Sequence, residues 1–150
     1  MFETIPIYQA KRDFSAIVRD SSERGKVFVV GNTQRRDAPR SLVIGEAPLH
    51  SILNAFSCHP QWEEDEKQGL FTAYIPEIDM WGQGTTRKSA AEDALAAARE
   101  YSDLYVKDVD FYNRVGRGKH FPFLLRLWLS STDSDAMKVL GFESLDGTGA

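Results

Sequence analysis

The sequence predicts an α+β fold made of two small units in succession, and three observations predict it. An apolar helical stripe between residues 9 and 25 is bracketed by short β-branched runs, which gives β-α-β-β-α over the first fifty-odd residues. Residues 61–85 hold three strand-like stretches separated by turn residues, with two-residue alternation clearest at 70–75. Ser89-Ala90-Ala91-Glu92 then has the spacing of a capping box in front of an alanine-rich helical run. The expected organisation is β-α-β-β-α over residues 1–56, β-β-β-α within residues 57–130, and a tail at 131–150.

Taken in order, residues 4–8 read as a first strand. The helix that follows starts near Gln9 and stops at Gly25, a residue type favoured just past a helix C-terminus. Its apolar face is Ala10, Phe14, Ile17 and Val18, spaced i, i+4, i+7, i+8, while Lys11, Arg12 and Arg19 fall on the exposed face. Residues 26–31 form a nearly continuous apolar second strand. A polar turn at 32–37 leads to a third strand at 41–44, and 47–53 is a short amphipathic helix.

Residues 54–60 link the units. Along 70–75, Phe71, Ala73 and Ile75 share one face and Leu70, Thr72 and Tyr74 the other. Both faces carry large apolar residues, so this is expected to be a central strand, ended by Pro76. Residues 81–85 are the third strand. The helix from Ser89 to about Val106 has Ala91, Ala94, Leu95, Ala98, Tyr101 and Tyr105 along one face, and its alanines imply close packing on the sheet. Residues 113–120 read as a mobile basic loop without the strand–loop–helix frame of a nucleotide-binding loop. Residues 121–129 are the most apolar stretch, either a strand completing the second sheet or a segment that docks on a partner. Residues 130–135 are a polar linker, 136–142 one or two helical turns, and 145–150 are expected to be disordered.

Composition bounds the function. The 150 residues suffice for one medium domain or two very small ones. No apolar run reaches the length of a membrane span, and no basic-then-apolar leader opens the chain, so neither a transmembrane helix nor a signal peptide is expected. A single Cys58 excludes an internal disulfide framework and fits a reducing, cytoplasmic setting. Residues 1–55 carry 8 basic and 6 acidic side chains, 56–110 carry 5 and 12, and 111–150 carry 5 and 4. An acidic middle between mildly basic ends argues against nucleic-acid binding by the whole surface and permits a local DNA site near the N-terminus.

The stretch Tyr8-Gln9-Ala10-Lys11-Arg12-Asp13-Phe14-Ser15-Ala16-Ile17-Val18 resembles the start of Phd/YefM-type antitoxins, which have a small–basic–x–x–Leu/Phe–Ser pattern after a first strand. The hairpin and the helix holding Leu49, Ile52 and Leu53 match as well. The resemblance implies a dimeric DNA-binding module that represses its own operon, and a region that neutralises a toxin. Lys11 stands at the family's basic position, with Arg12 after it. A second basic residue ends the family's second strand; Gly31 stands there in this chain, and Arg35 and Arg36 in the hairpin turn are candidates to replace it. Residues 61–106 are similar to HicB-type antitoxins, in an acidic strand, a Gly turn, an aromatic–x–Pro strand end and the helix start Glu92-Asp93-Ala94-Leu95, with a longer loop between Gly84 and Glu92. That resemblance implies a small α+β domain without catalysis.

Enzyme readings lack convergent residues. Three scattered histidines form no nucleophile–base pair, Cys58-His59 has no partners for a metal site, and Glu63 to Glu66 alternate between the faces of a strand. No catalytic residue, cofactor or metal is assigned. The leading expectation is an antitoxin that binds a RelE- or HicA-type messenger-RNA-cleaving toxin and, as a homodimer, operator DNA through Lys11, Arg12, Arg35 and Arg36. Phe121, Phe123, Leu125, Leu127 and Trp128 are the candidate toxin contacts, because aromatic anchors dominate interfaces. The alternative is a stand-alone regulatory or ligand-binding α/β protein without a toxin.

Overall fold

The computed structural model describes residues 4–35 and 37–142 and divides the chain into two units between Ile52 and Leu53. Among these residues are seven α-helices and two three-stranded sheets, and no helix is long and apolar enough to cross a membrane.

In the first unit, β1 (Thr4–Pro6), α1 (Ile7–Arg12), α2 (Phe14–Arg24), β2 (Phe28–Gly31), β3 (Arg40–Val43) and α3 (Glu46–Leu53) follow in order. Strand β2 is central: β1 pairs with it in parallel (Ile5↔Val30) and β3 antiparallel (Val29↔Leu42). Where one helix is expected from Gln9 there are two, and the first starts at Ile7. Pro6, with its φ locked by the ring, sits just before it (φ −63°, ψ 150°). The break falls at Asp13 (φ −102°, ψ 16°), yet Asp13 N still donates to Gln9 O at 2.9 Å and Ile17 N to Asp13 O at 3.0 Å, so the helical ladder carries through a kink. Gly25 ends α2 in the left-handed region (φ +67°), and Lys26 N closes the turn on Asp20 O at 3.2 Å. Of the expected apolar face only Ala10 and Ile17 are buried; Phe14 and Val18 are exposed.

The second unit contains β4 (Gln61–Asp65), β5 (Leu70–Ile75), β6 (Met80–Gly84), α4 (Arg87–Lys107), α5 (Val109–Arg114), α6 (Phe121–Trp128) and α7 (Asp133–Val139). The sheet is an antiparallel meander with β5 in the middle. Ala73 and Ile75 of β5 face the alanine stripe of α4, where Ala90, Ala91, Ala94 and Ala98 are fully buried. Gly82 and Gly84 of β6 make this approach possible, since a Cβ at either would overlap the backbone of Ala90 or Ala94. The capping box lies one turn before the expected one. Thr86, in extended conformation, is the N-cap, and Thr86 and Ser89 exchange reciprocal bonds of 3.0 Å.

Residues 121–129 are neither a strand nor a free arm. They form α6, with Pro122 in its first turn, and α6 packs on α4 through Leu124 and Leu127 (0% and 1% exposed). Buried Ser102 Oγ donates to Leu124 O at 2.9 Å. The expected tail is also corrected. Thr132 caps α7, and Ala136, Val139, Leu140 and Phe142 are buried, with Phe142 edge-on to Trp62 at 5.8 Å. Gly141 (φ +83°) lies so close to the chain at Cys58–Pro60 that a Cβ would sit 2.5 Å from Cys58 O. The unit therefore extends at least to Phe142; residues 145–150 lie outside the described residues. The expected loop at 113–120 is held by Tyr105, whose hydroxyl is 2.7 Å from Asn113 Oδ1 and 3.0 Å from the Arg117 carbonyl.

Candidate DNA and partner surfaces

Lys11 and Arg12 occupy the last turn of α1 and are both exposed. Arg12 Nε and Nη2 each donate to one oxygen of Asp13 at 2.9 Å. This bond holds the Asp13 carboxyl below the usual carboxylate range and raises Arg12. Lys11 has no acidic partner among the described residues. Arg12 is exposed and Asp13 half-buried, and such surface pairs contribute little, so exchanging Asp13 for a phosphate is inexpensive. Arg35 pairs with Asp37 at 3.4 Å, and Arg36 lies outside the described residues. One cation escapes the sequence reading. Arg40 stands directly across from Gly31 in the β2–β3 ladder, and its Cγ would be 2.8 Å from a Cβ at Gly31. The hairpin thus brings an arginine to the strand end where the expected basic residue is missing. Farther along α2, Arg19, Arg24 and Lys26 surround Asp20 at 3.9, 3.5 and 3.7 Å.

Beside Lys11 the first unit carries an apolar groove of about 440 Å³ lined by Ile7, Ala10, Phe14, Ile17, Val30 and Val43. Of its lining, Ile7 and Phe14 are 54% and 59% exposed. A contiguous apolar patch of this kind on a small unit marks a surface that is covered in use.

The five candidate toxin contacts fall into different environments. Leu127 is core and closed to any partner. Phe121 stacks on Tyr105 at 5.6 Å, Phe123 meets Phe56 edge-on at 5.5 Å, and Leu125 is half-buried. Trp128 alone of the five is exposed. Arg126 Nη1 fixes α6 to the Phe56 carbonyl at 2.7 Å. Near the start of α6, His120 Nδ1 is 2.8 Å from the Tyr101 hydroxyl. Burial, with Arg117 nearby, pushes the His120 pKa below its ordinary 6.5, and burial raises Tyr101 to about 12.

A second exposed tryptophan, Trp81 of β6, lies 6.3 Å from Tyr74 on the sheet face opposite α4. Alternation along residues 80–84 is the signal that finds it. Cys58 is buried and its thiol pushed up to about 12, so it is inert; the neighbouring His59 donates from its backbone to Glu77 at 2.9 Å. Among the described residues no three His, Cys, Asp or Glu side chains converge as metal ligands.

Over 91% of this chain and 96% of the other, the fold superposes with TM-score 0.76 on the crystal structure of a protein described as an antitoxin, from Syntrophomonas wolfei subsp. wolfei, at 22% sequence identity. No curated protein matches the sequence. The profile of the PHD-like family, described as antitoxin of toxin-antitoxin, RelE/RelB, matches residues 1–142. The chain therefore belongs to the PHD-like family of toxin–antitoxin antitoxins, regulatory proteins rather than enzymes.

Proposed function

We propose that this antitoxin acts in the cytoplasm by direct binding of an RNA-cleaving toxin of RelE or HicA type, and that its first unit, of Phd/YefM type, forms a homodimer that represses its own operon. The observation that carries the DNA reading is the juxtaposition in the first unit of exposed cations and an uncovered apolar groove. A second copy seated on the groove buries Phe14 and Ile7 and sets two α1 helices, each with Lys11 and Arg12, on one duplex. Arg35 and Arg40 supply further phosphate contacts from the hairpin side, and Arg36, outside the described residues, is a further candidate. The second unit, HicB-like in its β-β-β-α order, carries the toxin contacts; of the five residues expected to make them, Trp128 alone is exposed.

Replacing Lys11 and Arg12 with Ala tests the DNA reading. In a gel-shift titration on the protein's own promoter, affinity falls and the salt slope drops by up to about 2, one for each phosphate left without its cation. Unchanged binding and slope would remove these residues from the interface. Sedimentation of the full chain gives a dimer, and Phe14→Asp converts it to monomer; a wild-type monomer at micromolar concentration contradicts the pairing.

A further inference from the structure

Helix α4 covers one face of the β4–β5–β6 sheet. The opposite face forms a shallow depression of about 390 Å³ that includes Gln61, Glu63, Thr72, Tyr74, Trp81 and Gln83. We propose that this sheet face is the docking surface for the basic, RNA-binding surface of the toxin, with Trp81 as its anchor and Glu63 and Asp65 as its charged contacts. The proposal rests on the toxin-binding reading above and names the site where it occurs.

Three features of the face converge on that occupant. The first is an apolar anchor in an otherwise polar setting. Trp81 is 56% exposed, although it is among the largest side chains of the unit, and it leans on half-buried Tyr74. Exposed Trp beside Tyr is the composition of interface hot spots. The second feature is charge. Pairing places Glu63 opposite Thr72 and Asp65 opposite Leu70, so both carboxylates share the face with Tyr74, and no Lys or Arg of the three strands stands there. Residues 56–110 as a whole hold 12 acidic side chains against 5 basic. An enzyme that grips RNA must present cations to phosphates, so its substrate surface is complementary to this face. Nucleic acid itself is a poor occupant, because its phosphates meet two carboxylates. The third feature is preorganisation. Gln83 Nε2 donates to Thr72 Oγ1 at 3.2 Å, Tyr74 OH to Asp79 Oδ1 at 3.0 Å, and Arg117 Nη1 to Asp79 Oδ2 at 3.2 Å. Side chains tied in this way lose little freedom on docking. A toxin seated here has its RNA-binding cations occupied by carboxylates, which makes neutralisation a matter of occupancy.

The test uses the full-length antitoxin and the toxin encoded by the adjoining reading frame, with association and dissociation measured at low and high salt. Two variants are compared with wild type, each checked for an unchanged melting transition. Trp81→Ala raises Kd about 30-fold or more, mainly through faster dissociation. The double variant Glu63→Lys with Asp65→Lys slows association about tenfold at low salt, and the difference shrinks at high salt. Asp65 Oδ1 also accepts from Lys67 N at 3.0 Å and Gln68 N at 3.2 Å in the turn, so Glu63→Lys alone, which alters an exposed side chain and slows association by a smaller factor, keeps the test decisive if either variant melts early. Wild-type binding that both variants retain unchanged overturns the docking face while leaving toxin binding intact. Failure of the wild type to bind overturns both. An RNA oligonucleotide that binds the antitoxin alone, and no longer binds Trp81→Ala, assigns the face to nucleic acid and overturns the proposal.

Discussion

Leu124→Ala separates the two roles open to residues 121–129 in the sequence, core element or docking arm. Leu124 is fully buried between α6 and α4, and its carbonyl accepts the buried Ser102 hydroxyl at 2.9 Å. Truncation removes its apolar side chain and leaves a cavity in a region already filled by Tyr105, Leu127 and Leu140, none of which is more than 1% exposed. Such substitutions cost about 2–5 kcal/mol, a large share of the stability of a small domain. For a domain of this size the melting temperature falls by at least about 10 °C. Trp128→Ala on the same helix is the internal control. Trp128 is 49% exposed, so its truncation shifts the transition by less than half as much. The assay is urea and thermal unfolding followed by tryptophan fluorescence and far-UV circular dichroism. A loss below about 1 kcal/mol for Leu124→Ala, or equal losses for both variants, would refute the assignment of α6 to the core.

Gly82→Ala, which sets a Cβ into the backbone of α4, prevents the second unit from folding or lowers its transition far more than Gly69→Ala, where the Cβ meets no neighbour and only the left-handed backbone (φ +65°) costs about 1–2 kcal/mol; comparable melts would contradict the close approach. Deleting residues 119–150 removes α6 and α7 with Leu124, Leu127, Val139 and Phe142, so the cooperative transition of the second unit disappears, and a truncated protein that still melts cooperatively would show this core to be dispensable. His120 titrates below its ordinary 6.5 because it is half-buried beside Arg117, so on acidification the unfolded chain takes the proton first; the stability this group contributes is present above pH 6.5 and lost as pH falls below it, and His120→Phe reduces that dependence below pH 6.5. A pH profile identical to wild type in His120→Phe counts against the coupling.

The parts of the fold legible in the sequence were those with one dominant period. Alternation along 70–75 places Ala73 and Ile75 inward, and the alanines of α4 find the glycines of β6. Elsewhere two signals compete. Thr86 and Ser89 are both capping residue types, so the box is legible but its register is not; the extended backbone at Thr86 decides it. Residues 121–129 are apolar on nearly every side, which erases the periodicity that separates strand from helix, and Pro122 near the helix start is the one local cue. The same run shows why the partner residues are the least legible. Leu127 and Trp128 are adjacent apolar residues, yet one is sealed against α4 and the other open, a difference that only tertiary packing makes. Arg40 is invisible for a similar reason, since its position across from Gly31 depends on hairpin register. Phe14 and Val18 are apolar at core spacing but exposed, as residues of a face that a second copy covers would be.

The most direct test of antitoxin action by binding is to follow RNA cleavage by the purified toxin of the adjoining frame while this protein is titrated in. Neutralisation by direct binding predicts that cleavage stops near equimolar antitoxin, with the two proteins co-eluting as one complex. Cleavage that continues undiminished in the presence of a large molar excess would contradict it.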